Sequence, residues 1–137
     1  MKTTPYALLI LCMLLGCESV KTKDMISGQF AHTVLIWMKN PNSESDKNKL
    51  KTGLNQLIEA SEYIRSAHLG VPALTAREVV DNSYSYCFIV TFGSKEEQDK
   101  YQVEPAHKKF MADCENLMSK ILIYDSMNVL EAGENLK

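Results

Sequence analysis

The nine residues from Tyr84 to Phe92 constrain the fold more than any other stretch of this chain. Tyr84, Tyr86, Phe88, Val90 and Phe92 alternate with Ser85, Cys87, Ile89 and Thr91. A period of two marks a β-strand with two distinct faces, here one large and aromatic and the other smaller and partly polar. Gly93 ends the run. Ser94-Lys95-Glu96-Glu97 then forms a capping box that opens a helix predicted to reach about Val103. A strand with so heavy a face requires a second layer to cover it.

Phe30 to Met38 is predicted to be another strand. Val34, Ile36 and Met38 share the face of His32, while Thr33, Leu35 and Trp37 share the other. Both faces are mostly apolar, as in a strand covered on both sides. Asn40-Pro41-Asn42-Ser43 breaks it, and a helix is predicted from about Ser45 to Ile64, on the recurrence of Leu50, Leu54, Leu57, Ile58 and Ile64. Gly53 costs that helix about 1 kcal/mol in propensity, which points to close packing there. Ala67 to Pro72 reads as a connector, Arg77 to Asp81 as a second strand and Asn82-Ser83 as the turn into the third. Pro105 suits the first turn of a new helix, on which His107, Phe110, Met111, Cys114, Leu117, Met118 and Ile121 keep a three-four spacing. Ile121 to Tyr124 begins a fourth strand, and Asp125 opens a polar tail.

This order predicts an α+β domain with a four-stranded antiparallel sheet and helices on one face. The opposite face, assigned Val34, Ile36 and Met38, would be apolar and uncovered. A patch of that kind marks an interface, and a homodimer with two sheets closed face to face is the economical solution.

The two ends of the chain read differently. Residues 1–16 have a positive start at Lys2 and an apolar run from Tyr6 to Leu15, too short to span a bilayer and typical of a signal peptide. Leu14-Leu15-Gly16-Cys17 resembles a bacterial lipobox, which implies cleavage before Cys17 and acylation of that residue; the alternative is an ordinary leader with a chance cysteine. Residues 17–29 read as a tether with a reach of roughly 20 Å as flexible coil. The domain is assigned to residues 30–126 and a C-terminal tail to 127–137. The expected location is the cell envelope, lipid-anchored and facing the periplasm.

Without the leader the chain carries 14 basic and 17 acidic side chains, a net charge of −3. No basic run is present, so nucleic acid is not an expected partner. His32, His68 and His107 lack zinc-ligand spacing and no CxxC pair occurs, so no metal or other cofactor is expected. Export would permit Cys87 and Cys114 to pair, but both fall on apolar faces and are expected to be free thiols with no basic sequence neighbour near enough to activate them except Lys120.

The segment Tyr101-Gln102-Val103-Glu104-Pro105-Ala106-His107 sets a phenol and an imidazole six residues apart across a proline. His107 begins the apolar stripe of its helix, and a buried Tyr101 needs a partner for its hydroxyl. His32 is a third polar group on a face that could enter the same cavity. A histidine on an apolar face is also an ordinary core residue, so packing and a pocket both remain open.

From about Phe30 to Ser126 the chain resembles the stress-responsive A/B barrel (Dabb) family. The matching pieces are His32-Thr33-Val34-Leu35, Tyr86 to Phe92, Gly93 to Glu97, Tyr101 with Pro105-Ala106-His107 and Phe110, and Ile121-Leu122-Ile123-Tyr124-Asp125. The resemblance implies a ferredoxin-like monomer that dimerises into an α/β barrel. It also implies that Tyr101 and His107 occupy positions used for acid/base work in related polyketide cyclases. Glu104 departs from the pattern, since a histidine is frequent there.

Three functions follow as alternatives. The first is a binding module holding a small hydrophobic ligand in an apolar cavity lined by His32, Tyr101 and His107. The second is a cyclase- or isomerase-like enzyme in which His107 is the general base and Tyr101 donates to a developing enolate. The third is a structural dimer with a filled core. The binding reading is placed first.

Overall fold

A computed structural model describes residues 26–130. The leader, Cys17, most of the tether and the end of the tail lie outside the described residues. The elements are β1 (Phe30–Met38), α1 (Glu44–Ala60), β2 (Ser66–Gly70), β3 (Tyr86–Phe92), α2 (Lys95–Val103), α3 (Pro105–Cys114), a short 3₁₀ turn (Glu115–Leu117) and β4 (Met118–Met127). The strands form one antiparallel sheet in the order β2-β3-β1-β4, with the helices packed on one face. This is the expected α+β architecture.

The alternation in β1 and β3 decides the core. Phe30, His32, Val34, Ile36 and Met38 are buried along β1, and Tyr86, Phe88, Val90 and Phe92 along β3. Leu50, Leu54 and Leu57 of α1, Tyr101 of α2, and Phe110 and Cys114 of α3 meet them. Val34, Ile36 and Met38 therefore lie beneath the helices, and their expected place on an uncovered face is corrected. The uncovered face carries Leu35 and Trp37 with Cys87, Ile89, Leu122 and Tyr124, which the strand registers set side by side. Both faces of β1 are apolar, so periodicity could not tell which one the helices would cover.

Three element boundaries also differ from expectation. β2 is Ser66–Gly70, overlapping the expected connector, and Arg77–Asp81 is not a strand. Ser66-Ala67-His68 has weak strand propensity, but the free edge of β3 supplies partners, and Ser66 Oγ sits 2.7 Å from Thr91 Oγ1. At 77–83 local turn bonds prevail: Val80 N–H donates to the Arg77 carbonyl and Ser83 N–H to Asp81 Oδ1. Val79 is left 89% exposed.

α1 stops at Ala60, four residues early. Ser61 Oγ accepts from the N–H groups of Tyr63 and Ile64, a local alternative to continuing the helix. β4 is the third difference. It begins at Met118, so Met118 and Ile121 are strand residues, and it runs through Asp125 to Met127 where a polar tail was expected.

Candidate functional site

Tyr101 and His107 are brought together by a break between two short helices. Ser94 caps α2, its Oγ accepting from Glu97 N–H at 3.3 Å, and Tyr101 sits in the last turn. Glu104 then adopts an extended conformation (φ −67°, ψ 156°), as a residue before proline prefers, and Pro105 opens α3. The change of direction places His107 in the first turn of α3 with its ring centroid 4.8 Å from that of Tyr101. Tyr101 is 1% exposed and is wedged against Phe92, with ring centroids 4.9 Å apart.

His32 approaches from the sheet, its ring centroid 6.3 Å from Tyr101. Directly across the β1–β4 ladder lies Asp125, whose Oδ1 is 2.6 Å from His32 Nδ1. A charge-assisted bond of this length fixes the imidazole orientation and leaves Nε2 as the nitrogen not engaged by the carboxylate. Asp125 was missed by sequence reasoning, which set it in a tail. Its alternation with Ile121 and Ile123 was the available signal, but its pairing with His32 depends on strand register.

His32, Tyr101 and His107 line one cavity of about 160 Å³, together with Gln102. Its walls are apolar and include Leu54, Phe88, Phe110 and Met111, with Ile121 and Ile123 toward β4. It lies within one monomer, between sheet and helices. The helices leave β4 only partly covered, and Ile121 and Ile123 are 45% and 44% exposed.

The electrostatics of the two central groups differ. Burial pushes the Tyr101 phenol well above its ordinary value, and the Glu104 charge adds to the effect. Tyr101 is therefore a persistent O–H donor, and its hydroxyl makes no hydrogen bond among the described residues. Burial lowers the His107 proton affinity; the Gln102 backbone opposes this, His32 lowers it further and Glu104 raises it. His107 is thus neutral at neutral pH.

Glu104 stands behind the site and lines a separate groove with Lys100 and Lys109. Its Oε2 accepts from Glu62 N–H at 3.3 Å, and its buried Oε1 has no partner among the described residues. His68, by contrast, is on β2 at the opposite sheet face, in register with Ile89. Cys87 and Cys114 are free, on opposite sides of the sheet, and burial raises both thiols. Among the described residues no group of three or more His, Cys, Asp or Glu side chains could hold a metal ion. No described helix is long and apolar enough to cross a membrane.

A four-stranded antiparallel sheet with helices on one face and a cavity between the layers defines a ferredoxin-like α+β domain. The chain belongs to the stress responsive A/B barrel domain family, Dabb, whose model matches residues 30–128. It is similar to a protein from Arabidopsis thaliana of known crystal structure, at 25% identity over 75% of this chain and 98% of that one, with a TM-score of 0.63. The hydroxynitrile lyase from Passiflora edulis is similar at 15% identity, over 77% and 98% of the two chains, with a TM-score of 0.65. A dimeric ferredoxin-like protein of unknown function from Thermobifida fusca YX is similar at 13% identity, over 78% and 98%, with a TM-score of 0.61. No curated protein matches the chain in sequence.

Proposed function

We propose that this Dabb-domain protein is a lipid-anchored homodimer that binds a small, predominantly apolar molecule in the cavity beneath its helices. The observation that carries the binding reading is the cavity of about 160 Å³, walled by apolar side chains with Tyr101, His107 and His32 grouped in its lining. A structural dimer with a filled core would leave no such space. Dimerisation is supported by the apolar outer sheet face around Leu35, Trp37, Ile89 and Leu122. The Thermobifida fusca protein of the same fold is described as dimeric. Native mass spectrometry of the purified protein, before and after saturation with benzene, tests both parts. A dimer that carries an added small mass or takes up benzene is expected. A monomer overturns the assembly, and a dimer that takes up nothing overturns the binding function.

Anchoring rests on the lipobox-like Leu14-Leu15-Gly16-Cys17 and would hold the domain at the periplasmic face of an envelope membrane. Several acyl chains make such attachment stable. Fractionation of cells expressing Cys17→Ala is expected to move the protein to the soluble fraction; unchanged membrane association sinks the anchor.

A second reading is acid/base catalysis, favoured by the bond of 2.6 Å between His32 and Asp125 beside a neutral His107. His107 would abstract a proton next to a carbonyl and Tyr101 would donate to the developing enolate oxygen. His107→Ala would then abolish turnover of an identified substrate in a dimer that still folds. The likeness to the Passiflora edulis enzyme is one of fold and carries no reaction to this chain.

A further inference from the structure

The cavity wall contains no Lys, Arg, Asp or Glu among the described residues; its polar side chains are His32, Tyr101, Gln102 and His107. Two carboxylates stand behind that wall. Asp125 is bonded to the Nδ1 side of His32, so any positive charge on that imidazole already has its counter-ion. Glu104 is buried close enough to raise the proton affinities of both Tyr101 and His107. An anionic ligand head would shed its water, meet no free cation, and face both negative charges.

Tyr101 offers the complementary interaction. Its hydroxyl has no hydrogen-bond partner among the described residues and is not sealed off as an unsatisfied buried atom, so it is free to donate to an acceptor in the cavity that Tyr101 lines. An ammonium head has no lone pair with which to accept, so the acceptor must be neutral. A space of this volume bounds the size as well: an apolar cavity of about 150 Å³ admits one benzene ring.

We propose that the cavity selects an uncharged molecule about one ring in size, held through a hydroxyl or carbonyl oxygen that accepts a hydrogen bond from Tyr101, and that it excludes carboxylates. This rests on the ligand-binding reading above and names the class of ligand. Asp125 and Glu104 then act as positioning and selectivity residues from outside the cavity, touching no ligand.

The test titrates the full chain with cyclohexanol, cyclohexanecarboxylate and cyclohexane, following the methyl resonances of Met111 and Met118, which line the cavity. Cyclohexanol is expected to bind at least tenfold more tightly than the carboxylate. Tyr101→Phe should weaken cyclohexanol about fivefold, the usual worth of one neutral hydrogen bond, and leave cyclohexane unchanged. Unchanged cyclohexane binding also shows that the variant is folded. Carboxylate binding as tight as that of the alcohol, or cyclohexanol affinity indifferent to Tyr101→Phe, overturns the selectivity while the binding function stands. Failure of all three probes to bind overturns both.

Discussion

Gly53→Ala tests how α1 seats on α3, the contact that holds Phe110 against the cavity. In an open helix interior the substitution would stabilise by about 1 kcal/mol, since alanine loses less backbone entropy. Here a Cβ at position 53 would lie 2.6 Å from Cys114 Sγ and 3.4 Å from Phe110 Cδ2. The first distance is far inside ordinary carbon contact of about 3.5–4.0 Å. Cys114 is 1% exposed and cannot swing away freely.

Overpacking of this kind costs about 1–3 kcal/mol, so the propensity gain is offset and a net loss of about 1 kcal/mol is expected. Cys114→Ala removes the sulfur and leaves Phe110, at ordinary contact distance, as the nearest neighbour. In that background Gly53→Ala should stabilise by up to about 1 kcal/mol. The two substitutions therefore couple by about 2 kcal/mol, within the range for residues in contact. Urea unfolding of the four proteins measures this, each 1 kcal/mol moving the midpoint by roughly 0.5 M for a slope of about 2 kcal/mol/M. If Gly53→Ala raises the midpoint equally in both backgrounds, the two helices are not in close contact at this point.

Three further outcomes are expected. His107 has a depressed proton affinity when folded, so well above the unfolded value of 6.5 it is neutral in both states and its contribution to stability is complete. As the pH falls below 6.5 the unfolded chain binds the proton first, and stability declines until the folded imidazole protonates as well. His107→Gln should flatten this slope between pH 7.5 and 5.5 in urea melts, and an identical slope contradicts the assignment. Asp125→Ala should destabilise by about 1 kcal/mol, the low end for a buried donor left unpaired, because the half-exposed carboxylate site admits water. The effect should vanish when His32 is already leucine. Ser94→Ala removes the α2 cap and should cost about 1 kcal/mol, read as a thermal shift; Ser94→Asp should restore most of it.

Much of the fold was legible from local pattern. The alternation from Tyr84 to Phe92, the Ser94 capping box and Pro105 each act over a few residues, and the elements formed where they placed them, except that β3 opens at Tyr86 and not Tyr84. Gly53 was read as a close approach, and the nearness of Cys114 Sγ supplies the physical cause. β2 was illegible because Ser66 to Gly70 carries no strong preference of its own and takes its conformation from the free edge of β3. The opposite error lies at Arg77 to Asp81, where the strand-like residues pair with no strand among the described residues and turn bonds within the segment prevail.

The sequence by itself determined the class of domain and the helix break at Pro105, because their signals lie in patterns and turns of a few residues; that Tyr101 and His107 meet there is seen only in the structure. Only the tertiary structure decided which face of β1 the helices cover and where the cavity lies. It alone set Asp125 opposite His32. These are matters of layer choice and strand register between segments 93 residues apart, where both faces of β1 are apolar enough to be buried and neither strand specifies its partner alone.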